Sequence, residues 1–103
     1  MGQFVKVATT AEIENAQSGK QVEAGGQAIA LFRVEGSYYA IENTCPHRGG
    51  SLADGMLNGV EVTCPWHAAR FDVRTGAVLC PPAGRGVQCF PVRVSDADIE
   101  IEL

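Results

Sequence analysis

The sequence predicts an all-β fold, an antiparallel β-sandwich or small barrel. Three observations predict it. Short β-rich runs recur between turn dipeptides. Twelve glycines in 103 residues supply many tight turns. The C-terminal tail alternates, with Asp96, Asp98, Glu100 and Glu102 on one face and Ile99, Ile101 and Leu103 on the other, which is the period of a half-buried strand. At 103 residues, 46% hydrophobic and 19% charged, the chain is expected to form one globular domain over residues 1–103.

In chain order, residues 4–7 read as a strand. Thr9 or Thr10 can cap a helical turn over residues 11–15, with Glu12 near its start. Residues 21–23 form a strand ended by Gly25-Gly26. Residues 29–34 are apolar and β-rich, Glu35-Gly36 is a hairpin turn, and residues 38–41 return. Asn58-Gly59 is a turn signal ahead of a strand over 60–63. Residues 70–73 and 77–79 flank Thr75-Gly76 as a further hairpin. Residues 87–94 are strand-like, with Pro91 marking an edge or a bulge. Two stretches resist strand assignment, 43–50 and 64–69, and both hold cysteine and histidine.

The net charge of −4 argues against a general nucleic-acid binder. No apolar run approaches the length of a membrane span, and the first residues lack the apolar stretch of a signal peptide. A cytoplasmic location is expected. Four cysteines in a reducing compartment point to metal ligands or inert thiols before disulfides.

Each of the two histidines lies just behind a cysteine: Cys45-Pro46-His47 and Cys64-Pro65-Trp66-His67. Sixteen residues separate His47 from Cys64, enough for a hairpin that brings both stretches together. Two thiolates and two imidazoles suit zinc or an iron–sulfur centre. Structural zinc sites usually space like ligands by two to four residues. Here each stretch supplies one of each kind, and Cys45 and His47 are too close in sequence to share one small ion comfortably. Two adjacent metal centres fit this pattern better. Zinc, in an interaction module without redox activity, stays as the alternative.

The segments CPHRGG (45–50) and CPWH (64–67), at this separation, resemble the Rieske [2Fe–2S] motif. The resemblance continues through FDVRTG (71–76), Pro81-Pro82 and FPVRV (90–94). It is closest in kind to the small Rieske ferredoxins of ring-hydroxylating oxygenases, and it is also similar to the small Rieske subunit of assimilatory nitrite reductases. It implies an antiparallel β-sandwich with a small cluster-binding subdomain, about residues 43–84, at one end. It implies one Rieske cluster, with Cys45 and Cys64 on the inner iron and His47 and His67 on the outer. Pro81-Pro82 resembles the loop that covers the cluster on its remaining side.

As a one-electron carrier, such a chain needs no catalytic acid, base or nucleophile. The implied partners are a flavin-dependent ferredoxin reductase and a terminal Rieske oxygenase, or else a nitrite reductase large subunit. A shuttle that must show its cluster edge to two partners is expected to be a monomer. The chain departs from the respiratory type, which carries an extra cysteine in each cluster loop; Gly50 and Trp66 stand at the matching positions, and Ala68-Ala69 replaces the serine that donates to a cluster sulfur. Alanine at 68, where many relatives have glycine, adds strain if that position needs positive φ. Cys80 and Cys89 have no histidine nearby and read as inert thiols, and Trp66 as a partner contact or a cluster cover. Tyr38 and Tyr39 read as strand residues, one facing in and one out. Five arginines (48, 70, 74, 85, 93) against Asp54, Glu61 and Asp72 give residues 43–94 a charge of +2, and the rest carries −6. Arg48 and Arg85 are therefore expected to help dock a partner.

Overall fold

Short hairpins account for most of the chain. The elements run β1 (Phe4–Thr9), α1 (Thr10–Glu14), β2 (Lys20–Ala24), β3 (Gln27–Val34), β4 (Ser37–Glu42), a 3-10 turn (Leu52–Asp54), β5 (Met56–Asn58), β6 (Glu61–Thr63), β7 (Arg70–Asp72), β8 (Val78–Cys80), β9 (Cys89–Phe90), β10 (Val92–Ser95) and β11 (Asp98–Glu102). The computed structural model describes residues 2–14, 19–44, 50–65, 69–80 and 86–103, excepting the side chains of Glu14 and Cys80. The expected all-β antiparallel fold is what these strands form.

Among the described residues three antiparallel sheets form, ordered β1-β11-β10, β2-β3-β4-β9 and β5-β6-β7-β8. The sheet β2-β3-β4-β9 lies between two cores. Ala30, Phe32 and Ile41 face one core, with Leu52, Val62, Cys64, Ala69, Phe71 and Val73 of the β5–β8 region. Ile29, Leu31 and Ala40 face the other, with Ala8, Ile13, Ile99 and Ile101. That explains why residues 29–32 are continuously apolar instead of alternating: all four are fully buried, two on each face. Tyr38 and Tyr39 are both half-buried, Tyr38 packed on the second core and Tyr39 on the first. Neither one faces simply out, because each packs partly on a core.

The Glu35-Gly36 turn has φ of 51° and 84°, the double left-handed geometry that suits a two-residue hairpin. The hairpin near Asn58 differs from expectation. Asn58 pairs with Glu61, so the turn residues are Gly59 and Val60, and Val60 is not in the strand. The helical turn begins at Thr10, and Thr9 caps it: its backbone N–H (2.7 Å) and hydroxyl (3.1 Å) both donate to the Glu12 carboxylate. Those bonds hold the Glu12 carboxyl below its usual range. Asn15, expected in that turn, lies outside the described residues. Pro91 proves to be a crossing point. β9 before it pairs with β4, and β10 after it pairs with β11. A residue with no N–H to donate suits the position where the chain leaves one sheet for the next.

Candidate metal centre

β4 ends at Glu42 and delivers Asn43, only 4% exposed. The Asn43 N–H donates to the Ala28 carbonyl (3.1 Å) and its carbonyl accepts from the Leu52 N–H (2.8 Å). Thr44 and Ser51 form an isolated antiparallel bridge. The chain then closes the 3-10 turn through Asp54 N–H to Ser51 (3.1 Å) and Gly55 N–H to Leu52 (3.0 Å). Cys45 and His47 fall between the bridged residues and lie outside the described residues.

The second stretch starts at the end of β6. Thr63 pairs with Arg70, and beyond it the Cys64 N–H donates to the Ala69 carbonyl at 2.8 Å. Cys64 is 1% exposed, in the same core as Leu52, Ala53, Val62 and Ala69. The turn at Leu52–Asp54 sits hard against β6: a Cβ on Gly55 would run into the Thr63 carbonyl oxygen. His67, Trp66 and Ala68 lie outside the described residues.

A third stretch leaves β8 and returns at Gly86 and Val87, where the Val87 N–H donates to the Gly76 carbonyl at 2.8 Å. Val87 belongs to the core that contains Cys64. The described ends of all three stretches therefore share one core. Pro81, Pro82 and Arg85 are outside the described residues, as is Arg48. Of the four expected ligands, Cys64 is the one described. Among the described residues no three His, Cys, Asp or Glu side chains gather into a metal site. Cys89 is an exposed free thiol on β9.

At the far end of β7, Asp72 accepts from the Arg74 N–H (2.8 Å) and from its guanidinium (3.1 and 2.9 Å). The Arg74 guanidinium and N–H hold the Asp72 carboxyl below its ordinary value of 3.8. Two functional-looking contacts were not readable from sequence: the Asn43 network and this Asp72–Arg74 turn. A lone Asn ahead of a Cys-Pro stretch carries no spacing signal that would single it out.

The Rieske [2Fe–2S] domain profile matches residues 3–91. The chain belongs to the Rieske [2Fe–2S] family. It is 39% identical over 82 residues (80% of this chain, 79% of the relative) to the ferredoxin component of the naphthalene 1,2-dioxygenase/salicylate 5-hydroxylase systems of a Ralstonia species. Its structure resembles the ferredoxin of carbazole 1,9a-dioxygenase from Nocardioides aromaticivorans, with a TM-score of 0.90, 32% identity and 96% of each chain covered. It also resembles a chain in a complex of reduced oxygenase and oxidized ferredoxin in carbazole 1,9a-dioxygenase, with a TM-score of 0.86, 29% identity, and 95% and 91% of the two chains covered.

This Rieske chain is thus a ferredoxin, an electron carrier and not a catalytic subunit, and its cofactor is a Rieske-type [2Fe–2S] cluster. The zinc alternative falls with that assignment. The described residues fit the cluster: Cys64 lies at a loop base in one core with Val62, Ala69 and Leu52, where a thiolate would be shielded from water. No helix among the described residues is long and apolar enough to cross a membrane.

Proposed function

We propose that Cys45, His47, Cys64 and His67 hold the cluster, the cysteines on the inner iron and the histidines on the outer. The chain would then take one electron from a flavin-dependent ferredoxin reductase and hand it to a terminal Rieske oxygenase. One observation carries the ligand reading. Cys64 lies buried in the core that also contains Leu52, which follows directly on the Thr44–Ser51 bridge. The return of the first Cys-Pro stretch and the start of the second therefore share one core. The named relatives, ferredoxin components of dioxygenase systems, support the oxygenase partner.

When bound, the cluster supplies a one-electron couple whose potential is raised by the replacement of two thiolates with neutral imidazoles. The chain's own part is to hold, orient and shield. Cys64 would anchor from the buried side, where Leu52, Val62 and Ala69 keep water away. Residues 43–84 act as the cluster-binding subdomain of a single domain over 1–103. We read the carrier as a cytoplasmic monomer.

Two measurements test this. The dithionite-reduced protein should give the low-average-g EPR spectrum of mixed Cys/His ligation, and His67→Cys or Cys64→Ala should abolish it. A colourless protein holding one zinc would overturn the reading. Stopped-flow mixing with a flavoprotein reductase and then a terminal oxygenase should show reduction followed by reoxidation. Co-purification with a large nitrite reductase subunit, without exchange to an oxygenase, would replace the partner assignment.

A further inference from the structure

We infer that Asn43 is a positioning residue that locks the return of the first ligand stretch onto the core beneath the second; this rests on the ligand set proposed above. Three consecutive residues after that stretch, Ser51, Leu52 and Ala53, all bond to this one asparagine. The Leu52 N–H donates to its carbonyl at 2.8 Å. The Ala53 N–H donates to its Oδ1 at 2.8 Å. Its Nδ2 lies 3.1 Å from the Ser51 hydroxyl, which is also 3.3 Å from Oδ1. An N–H can only donate, so the Ala53 contact fixes which amide atom is the oxygen.

The arrangement does more than satisfy a buried side chain. The Thr44–Ser51 bridge is a single residue pair and is weak closure by itself. Asn43 strengthens it from both sides, and its own N–H ties it to Ala28 of β3. Leu52 and Ala53 then pack in the core beside Val62 and Cys64. The side-chain amide thus sets where the first stretch stands relative to the second. A cluster bridged between two stretches is retained only while both stay in register, so loosening one of them opens a route for iron loss without unfolding the sheets.

The test compares holoprotein carrying Asn43→Ala, Asn43→Asp and Ser51→Ala with the wild type. Iron release to a chelator, reduced EPR and far-UV circular dichroism are read in native buffer. Asn43→Ala strands the buried Ala53 N–H and should speed iron release about tenfold while the β-sheet signal persists. The g values should shift as well. Asn43→Asp keeps an oxygen for Ala53 and can accept from Ser51, so its release rate should stay within about threefold of wild type. Iron release by Asn43→Ala at the wild-type rate, or only in step with loss of the β-sheet signal, would mean that Asn43 is merely structural. An Asn43→Asp variant as leaky as the alanine would also overturn the inference. If Asn43→Ala does not fold, Ser51→Ala decides: faster release with unchanged circular dichroism supports the lock, and an unchanged rate refutes it. A wild type without the mixed-ligand EPR signal would sink the ligand assignment and the lock together. A wild type with the signal but indifferent variants would sink the lock alone.

Discussion

Asp72 has two roles at the β7–β8 turn. Its carboxylate takes the Arg74 N–H and, at 2.9–3.1 Å, the guanidinium. The Arg74 side chain is about half exposed, so the ion pair itself adds little. The backbone bond, at a buried acid, matters more. Asp72→Ala should lower stability by about 1–2 kcal/mol in urea melts at neutral pH. The sign of the pH dependence follows from the direction of the shift. Arg74 depresses the folded-state carboxyl below 3.8, so the stabilisation is complete above that value and is lost as pH falls through the lower, folded value. Asp72→Asn should therefore lose less stability than wild type on acidification below about pH 4. Parallel curves for the two proteins would show that the carboxylate contributes nothing.

The same scale governs the reduction potential. The cluster stretches have Gly50 and Trp66 where the high-potential type has cysteines, and Ala68-Ala69 in place of its donating serine. Fewer side-chain donors leave the reduced state less stabilised, so redox titration should give roughly −150 mV, the low end of the Rieske range. A value above zero would contradict this. Residues were legible in sequence to the extent that their chemistry was local. The Cys-His spacing could be read directly. Asn43 could not, because its three partners after the stretch are recruited by the fold.

Among the elements, Gly55 shows what packing adds. Its φ of −75° is open to any residue, so conformation does not require glycine there. Space does. A Cβ would strike the Thr63 carbonyl and sit 3.0 Å from Val62 Cγ2 and 3.1 Å from the Leu52 carbonyl. Gly55→Ala must push the 3-10 turn off β6, at a cost of about 1–3 kcal/mol. Because those two elements carry the bases of both Cys-Pro stretches, the visible absorbance should bleach at lower urea than in wild type. Bleaching at the wild-type midpoint would mean that the turn can shift freely. Hairpins with marked turns, such as Glu35-Gly36, could be read from sequence. β5 (Met56–Asn58) and the turn at Leu52–Asp54 could not: at three residues each they are too short to show any period. The run over 87–94 looked continuous because a change of sheet leaves the local strand pattern intact, and only Pro91 marked the break.

Over the whole molecule, charge is unevenly spread. Arg70, Arg74 and Arg93 each meet a carboxylate, Glu61, Asp72 and Glu100. Glu61 and Asp72 lie within residues 43–94 and cancel Arg70 and Arg74 there, which leaves Arg48, Arg85 and Arg93 against Asp54, while the remaining chain is acidic. Replacing Arg48 and Arg85 with Gln should slow electron transfer to the oxygenase about tenfold at low ionic strength and flatten its salt dependence. Unchanged, salt-sensitive rates would place the docking charge elsewhere.

The sequence by itself determined the fold class and most hairpins, and its two Cys-His pairs pointed to the cluster, because each signal depends on residue types within one turn or one strand of each other. Tertiary structure alone decided which sheet each strand joins, that β3 is buried on both faces, and that the ends of three separate stretches share one core. Those outcomes depend on contacts between distant residues, such as Asn43 with Ala28 and Gly55 with Thr63, and such contacts impose no period on the chain.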